Sequence, residues 1–131
     1  MSVPMFGGED RLTIKASGAI TEGMVLKASG WAAGVLTAAK AVATGGADLI
    51  ACAAIDDTEY GTAFALVPGL VVEVLSETGV AAGDAVKVSA NGKATTATAP
   101  TDNASAGDDG FLIFGRALTA TSGGTILVLV K

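Results

Sequence analysis

Acidic residues in two turns are the side chains of this chain whose type and spacing could carry out chemistry. Asp56, Asp57 and Glu59 fall within one short segment, and Asp108 precedes Asp109 directly. Paired carboxylates can act as general acid and base, and carboxylate oxygens also bind Ca²⁺. The spacing matches no EF-hand loop, and Asp favours turns because its side chain bonds the nearby backbone. We therefore expect solvated turns, with no catalytic residue and no metal site.

The other residue types that carry chemistry are scarce. The chain has no histidine, which excludes Ser-His-Asp triads, His metal ligands and imidazole acid–base catalysis. The single Cys52 cannot form an internal disulfide, and its apolar surroundings predict a small buried hydrophobe. The cations expected nearest to it are Lys40 and Arg116. We therefore predict a protein that is not an enzyme and binds no cofactor.

Charge and composition exclude two further classes of partner. The net charge is −5, and the eight Lys and Arg residues are scattered from Arg11 to Lys131, so no basic face for a phosphate backbone is expected. Aromatic residues, at 5%, are too few for a base-stacking platform. The N-terminus does not resemble a signal peptide, and no apolar run is long enough to span a bilayer. We expect no nucleic-acid partner, no membrane association and synthesis in a reducing cytoplasm.

The balance of apolar and charged residues predicts self-association. Hydrophobic residues make up 50% of the chain and charged residues 16%, against about 25% charged residues in an ordinary soluble domain. Residues 70–75 and 126–130 also read as strands that are apolar on both faces. Other subunits would cover part of this apolar surface. The candidate interface residues are Trp31, Tyr60, Leu70 and Val72.

Short apolar segments separated by Gly-rich turns predict an all-β fold, a compact barrel or sandwich. We expect an N-terminal arm over residues 1–10 and one β-rich domain over residues 11–131. The Ala-rich stretch after residue 37 is expected to be a loop or a brief helix, and Asn91-Gly92 a type I′ hairpin turn. The expected strands are 11–15, 24–28, 35–37, 49–54, 62–67, 70–75, 84–89, 93–97, 111–118 and 125–130.

Two internal similarities predict a duplication. Residues 49–67 resemble residues 112–130 at an offset of 63, and residues 23–29 resemble residues 83–89 at an offset of 60. Repeat-like halves would therefore cover about 17–67 and 78–130. A duplication explains a fold more readily than a chemistry, because nothing catalytic is repeated.

The second half carries a set of motifs with a known pattern. It reads Pro68-Gly69 before an apolar strand, Ala82-Gly83-Asp84 before another, Asn91-Gly92-Lys93, and a last apolar strand after Gly124. This layout resembles the tailed-phage capsid cement (head decoration) proteins. The resemblance implies a compact "β-tulip" barrel, trimers at capsid threefold positions, and attachment through a terminal arm.

The function expected from this resemblance is structural. The protein would bind the major capsid protein on the outer surface of the virion, as a homotrimer, and stabilise the assembled head. The arm supplies the candidate capsid-binding residues Val3, Pro4, Met5 and Phe6, because Pro4 favours an extended Val3 that could lie along a partner strand. The alternative is a β-sandwich binding module of a phage tail or fibre that recognises a surface glycan.

Overall fold

The computed structural model describes residues 11–43, 46–97 and 112–131, and within these ranges the chain is built from strands and turns. The all-β fold class predicted from the sequence is confirmed. Each predicted strand has a counterpart in the described ranges. The ten strands are β1 (Arg11–Ala16), β2 (Val25–Ala32), β3 (Val35–Lys40), β4 (Leu49–Ala51), β5 (Tyr60–Ala65), β6 (Val71–Leu75), β7 (Ala85–Val88), β8 (Ala94–Thr96), β9 (Gly115–Ala117) and β10 (Thr125–Val130).

The first five strands form a closed barrel, called the first barrel here, in the order β1-β3-β2-β4-β5. β1 closes it, because β1 pairs antiparallel with β5 and parallel with β3, where Ile14 lies opposite Leu36. Side chains alternate between the two faces of each strand, so every second residue points inward. The buried interior includes Ile14, Leu26, Ala38 and Ala63.

The last five strands form the second sheet, in the order β6-β10-β9-β7-β8. Its edge strands β6 and β8 meet at one parallel bridge, between Ser76 and Ala94. The sheet is therefore curved far enough for its two edges to touch. Its interior is rich in β-branched residues, which pack well on a pleated surface, and includes Val74, Val86, Ile126 and Val128.

The two units share one topology, with β6 to β10 repeating β1 to β5 in neighbour order and in direction. In the first barrel, Ala38 lies opposite Ala28 on β2 and Ala16 on β1. In the second sheet, Ala94 lies opposite Val88 on β7 and Ser76 beyond β6. The structural repeat therefore includes β1 and β6 as corresponding strands.

The turns of the two units repeat the same backbone hydrogen bonds. Gly23 N–H donates to the Ala51 carbonyl at 3.0 Å, and Gly83 N–H donates to the Ala117 carbonyl at 2.8 Å. These bonds agree with the offset of 60 that the sequence predicts around Gly23. The offset of 63 predicted for the later strands is wrong, because Ala51 corresponds to Ala117 rather than to Phe114.

Two local predictions are also wrong. The Ala-rich stretch is neither loop nor helix up to Lys40, because β3 has a partner strand on each side. Asn91-Gly92 is not a type I′ turn, since only Gly92 has a positive φ, at 70°. The β2–β3 hairpin instead turns at Ala33 and Gly34, with φ of 54° and 80°.

The first barrel and the second sheet pack against each other through side chains and backbone. Val25, Ala41 and Ile50 of the first barrel are buried in the same cluster as the interior of the second sheet. Val25 N–H donates to the Gly92 carbonyl, and Leu75 N–H to the Gly23 carbonyl, both at 2.9 Å. A Cβ at residue 92 would lie 2.6 Å from Lys40 Cγ, and the φ of 70° is one that favours glycine, so a larger residue would be strained and would displace the Lys40 side chain.

Candidate functional site

The acidic turn between β4 and β5 uses one of its carboxylates to hold the fold. Asp57 Oδ1 accepts a hydrogen bond from Gly18 N–H at 2.8 Å, and Thr58 has a positive φ of 68°. Within the described ranges, His, Cys, Asp and Glu side chains do not group in threes as a metal site would require. Asp108 and Asp109 lie outside the described residues. The turn at 56–59 is therefore a structural turn with exposed carboxylates, as expected for a solvated segment.

Cys52 is half-buried rather than buried. Burial raises the pKa of its thiol above the ordinary value, and the positive charge of Arg11 acts in the opposite direction. The cation that acts on Cys52 is thus Arg11, and not Lys40 or Arg116 as expected from the sequence. A thiol with a raised pKa remains protonated at neutral pH, so it is a weak nucleophile.

Glu77, which follows β6, is a carboxylate held by two other side chains. Its Oε2 accepts hydrogen bonds from Ser89 Oγ at 2.7 Å and from Asn91 Nδ2 at 3.0 Å. These two bonds, the one from Ser89 first, hold the pKa of the Glu77 carboxyl below its ordinary value. Because Ser89 and Asn91 belong to the loop that places Gly92 against Val25, this network supports the contact between the two units.

A cleft of about 450 Å³ lies where the two units meet. Ile50, Cys52 and Phe64 line it from the first barrel, and Val72 and Thr125 from the second sheet. Its carboxylates are Glu22 and Glu73, and the pKa of the adjacent Cys52 thiol is raised. The cleft therefore offers no activated nucleophile, and its walls are part of the packing between the units.

Exposed aromatic residues lie at two positions on the first barrel. Tyr60 is 62% exposed and pairs across the ladder with Lys15, whose ammonium lies 6.0 Å from the centre of the Tyr60 ring. Trp31 is 69% exposed and lies in the β2–β3 hairpin. We call Lys15, Tyr60 and Trp31 the barrel face.

Exposed aliphatic residues mark one surface of the second sheet. Val71 is 52% exposed and lies opposite Leu129, and Leu127 is 40% exposed and lies opposite Glu73. Residues paired across an antiparallel ladder project to the same side, so Val71, Leu127 and Leu129 share the outer side of β6 and β10. We call these three residues the sheet face.

The candidate interface residues named from the sequence occupy different environments. Trp31 and Tyr60 are exposed, Leu70 is half-buried against the core of the second sheet, and Val72 is buried in that core. The capsid-binding candidates Val3, Pro4, Met5 and Phe6 lie outside the described residues. Sequence reasoning missed Val71 and Leu127, because both strands are apolar on both faces and only the pairing of β6 with β10 shows which side is exposed.

The described residues thus define a class of protein: an all-β protein of two packed five-stranded units that exposes an aromatic and an aliphatic surface. No protein-family model and no curated protein sequence matches the chain. Among solved structures, the chain is similar to the crystal structure of the head fiber gp8.5 N base of bacteriophage phi29. The TM-score is 0.72 at 15% sequence identity, over 92% of each chain, so the likeness establishes a common fold.

Within the described ranges, no helix has the length and apolar character needed to cross a bilayer.

Proposed function

We propose that this chain is a structural component of a phage head, which binds the outside of the assembled capsid and stabilises it. The observation that carries the proposal is the fold, which the chain shares over 92% of its length with the base of a phage head fibre. The motifs of the second half, which resemble head decoration proteins, support the same role. The partner would be the major capsid protein, and the location the outer surface of the virion.

Surface chemistry supports a binding role over a catalytic one. In the described parts of the chain the acidic turn is held by Asp57, and burial keeps the Cys52 thiol protonated. Trp31 and Tyr60 are among the most exposed side chains, and Trp and Tyr are enriched at the hot spots of protein interfaces. The proposal therefore includes a homotrimer, in which part of this surface contacts other copies.

The arm is the proposed anchor to the capsid. Residues 2–10 contain Val3, Met5 and Phe6, which a purely solvating tail would not need, together with Pro4 and two glycines that prevent a regular helix. An extended segment of this kind can add to the edge of a partner's sheet. Capsid binding would then depend on residues outside the two β units.

Deletion of residues 2–10 tests the anchor. We expect the melting temperature to change little, while binding to undecorated phage heads weakens at least about tenfold, or about 1.4 kcal/mol. The readout is co-sedimentation with purified heads, with electron microscopy to show density on the exterior. A matched control replaces Val3, Met5 and Phe6 by serine at unchanged length, and should bind as weakly as the deletion. Equal binding by all three proteins would overturn the proposed anchor.

The second candidate function, a tail or fibre module that recognises a surface glycan, is favoured by one observation. Trp31 and Tyr60 are 69% and 62% exposed, and exposed aromatic rings are what sugar-binding platforms use. Binding of the intact protein to host surface glycans, abolished by Trp31→Ala and with no affinity for heads, would favour this function. Head binding by the intact protein without glycan binding would favour the decoration protein.

A further inference from the structure

The contact between the two units uses one surface of each. The first barrel contributes Ile50 and Phe64, which are paired in the β4–β5 ladder, and Val25. The second sheet contributes Leu75 and Thr125, which are paired in the β6–β10 ladder, and the β7–β8 loop with Gly92. The two units have the same topology, but the surface that the first barrel contributes does not correspond to the surface that the second sheet contributes. The contact is therefore head-to-tail.

Each of these surfaces has a corresponding surface on the other unit, at the same place in the repeated topology. Neither corresponding surface is covered by the described residues. The counterparts of Ile50 and Phe64 in the second sheet are Arg116 and Leu129, which pair in the β9–β10 ladder. Leu129 belongs to the sheet face, beside Val71. The surface of the second sheet that corresponds to the first barrel's contact surface is thus formed by the sheet face and the neighbouring Arg116.

The other counterpart is the barrel face. Lys15 and Tyr60 pair at the position in the first barrel that Leu75 and Thr125 occupy in the second sheet. The β2–β3 hairpin corresponds to the β7–β8 loop that carries Gly92, and it is longer: residues 29–37 join Ala28 to Ala38, whereas residues 89–93 join Val88 to Ala94. The extra length carries Trp31 outward.

The chemistry of the two uncovered surfaces suits burial. The barrel face presents Trp31 and Tyr60, 69% and 62% exposed, and large aromatic side chains are the residue types most enriched at interface hot spots. The sheet face presents Val71 and Leu127, 52% and 40% exposed on strands where polar residues are the rule for a solvated side. Burial of the aromatic side chains against the aliphatic ones would remove apolar surface from water.

We infer that the sheet face of one copy binds the barrel face of a second copy, and so brings together the surfaces that correspond to those joining the two units within one chain. Such a contact is heterologous, because it joins different surfaces, and it forms a ring when the rotation closes. The inference deepens the proposed function and takes the number of copies from the proposed homotrimer. The contact between two copies does not require the capsid.

Two variants test the contact, each altering one face. Leu127→Lys places a charge in the sheet face opposite Glu73, its ladder partner, so the sheet gains a cross-strand ion pair and remains folded. Trp31→Ala combined with Tyr60→Ala truncates the barrel face. Val42→Asp is the matched control, since Val42 is 47% exposed and lies outside both faces. Circular dichroism and thermal melts establish that each variant is folded.

Sedimentation velocity at micromolar concentration then gives the result. The wild type and Val42→Asp are expected to associate, and each face variant alone to associate at least about tenfold more weakly. An equimolar mixture of the two face variants retains one intact contact, and is expected to form a 1:1 heterodimer that neither forms alone. A monomeric wild type, or a folded mixture without heterodimer, would overturn the inference.

An isologous contact gives a different pattern, which would also overturn the inference: one face variant would lose association and the other would keep it. Co-sedimentation with phage heads is measured separately. Face variants that fail to associate but still bind heads leave the proposed function intact. A wild type that associates through these faces but ignores heads leaves the inference intact and removes the proposed function.

Discussion

The first barrel and the second sheet have the same strand order but close in different ways. Three residue pairs join β1 to β3, from Ile14–Leu36 to Ala16–Ala38, and complete the first barrel with backbone hydrogen bonds. In the second sheet one bridge, Ser76–Ala94, takes the place of that ladder. The same topology is therefore completed by a full ladder in the first barrel and by a single bridge in the second sheet.

Side-chain hydrogen bonds support the second sheet where the ladder is missing. The buried Ser76 hydroxyl donates to the Glu77 carbonyl at 2.7 Å and lies 3.1 Å from Thr121 Oγ1. Thr121 Oγ1 also accepts from Val80 N–H, at 3.2 Å. In the first barrel the corresponding N–H, of Ile20, donates to the backbone carbonyl of Ile55 at 2.8 Å. At this corresponding position the second sheet uses a hydroxyl where the first barrel uses a backbone carbonyl.

The largest expected effect comes from a glycine at the start of β9. A Cβ at residue 115 would lie 2.6 Å from the Leu129 carbonyl oxygen and 2.5 Å from Val128 Cγ1. Gly115→Ala therefore pushes β9 away from β10, and we expect a loss of about 3 kcal/mol in the free energy of unfolding, at the upper end of overpacking. Urea titration followed by circular dichroism measures this loss.

The matched variant in the first barrel is Gly61→Ala. There the added Cβ meets the side chain of Ile55, which can rotate, and not a backbone atom. We expect a smaller loss than for Gly115→Ala. If both variants lost the same free energy of unfolding, relaxation of the Ile55 side chain would not explain a difference between the first barrel and the second sheet.

Removal of the Thr121 hydroxyl should have the next largest effect. Thr121→Val leaves Val80 N–H without its acceptor, and a buried unsatisfied donor costs about 2 kcal/mol. The control is Ile55→Val at the corresponding position of the first barrel, where the acceptor is a backbone carbonyl and about 1 kcal/mol is expected from the lost methylene. Hydrogen exchange of Val80 N–H should accelerate in Thr121→Val alone; unchanged exchange would contradict the role of the hydroxyl.

A smaller change, in the stabilising direction, is expected in the β2–β3 hairpin. Ala33 has a φ of 54°, a conformation that costs an L residue other than Asn, Asp or Gly about 1 kcal/mol. Ala33→Asn creates the Asn-Gly pair that a type I′ turn favours, and should raise the free energy of unfolding by up to about 1 kcal/mol. Ala90→Asn in the β7–β8 loop, where φ is negative, is the control and should give no gain. Thermal melts that rank the two variants equally would contradict this account.

The smallest effect concerns pH. Hydrogen bonds hold the pKa of Glu77 below its ordinary value, so its contribution to stability is present above the unfolded-state pKa of about 4.3 and is lost as pH falls through the folded-state pKa. Ser17, its counterpart in the first barrel, has no carboxylate. Glu77→Gln should therefore lower the melting temperature slightly at neutral pH and leave it unchanged in strong acid. If the melting temperature of Glu77→Gln changed between neutral pH and strong acid by as much as that of the wild type, Glu77 would not have this role.

Local pattern was sufficient to predict the fold class and the positions of the strands. It failed at Asn91 and did not predict the turn at Ala33, because the conformation of a turn depends on how the flanking strands pair, and Asn-Gly alone does not fix that pairing. It also missed the end of β3, since an Ala-rich segment becomes a strand only when partner strands flank it.

The candidate surfaces were predictable in part. The exposure of Trp31 and Tyr60 agrees with their proposed interface role, which stays a prediction. Residues 70–75 are almost entirely apolar, so alternation could not indicate which side faces solvent, and Val72 is in fact buried while Val71 is 52% exposed. Only the register of β6 on β10 supplies that information.

All ladders of the first barrel are formed by residues up to Ala65, and all those of the second sheet by residues from Val71 onward. During translation the first barrel can therefore complete its pairing before the second sheet has left the ribosome. Val25, Ala41 and Ile50 stay uncovered in that interval, because only the second sheet buries them. The short 66–70 connection holds the second sheet of the same polypeptide close to these residues, at a high effective concentration.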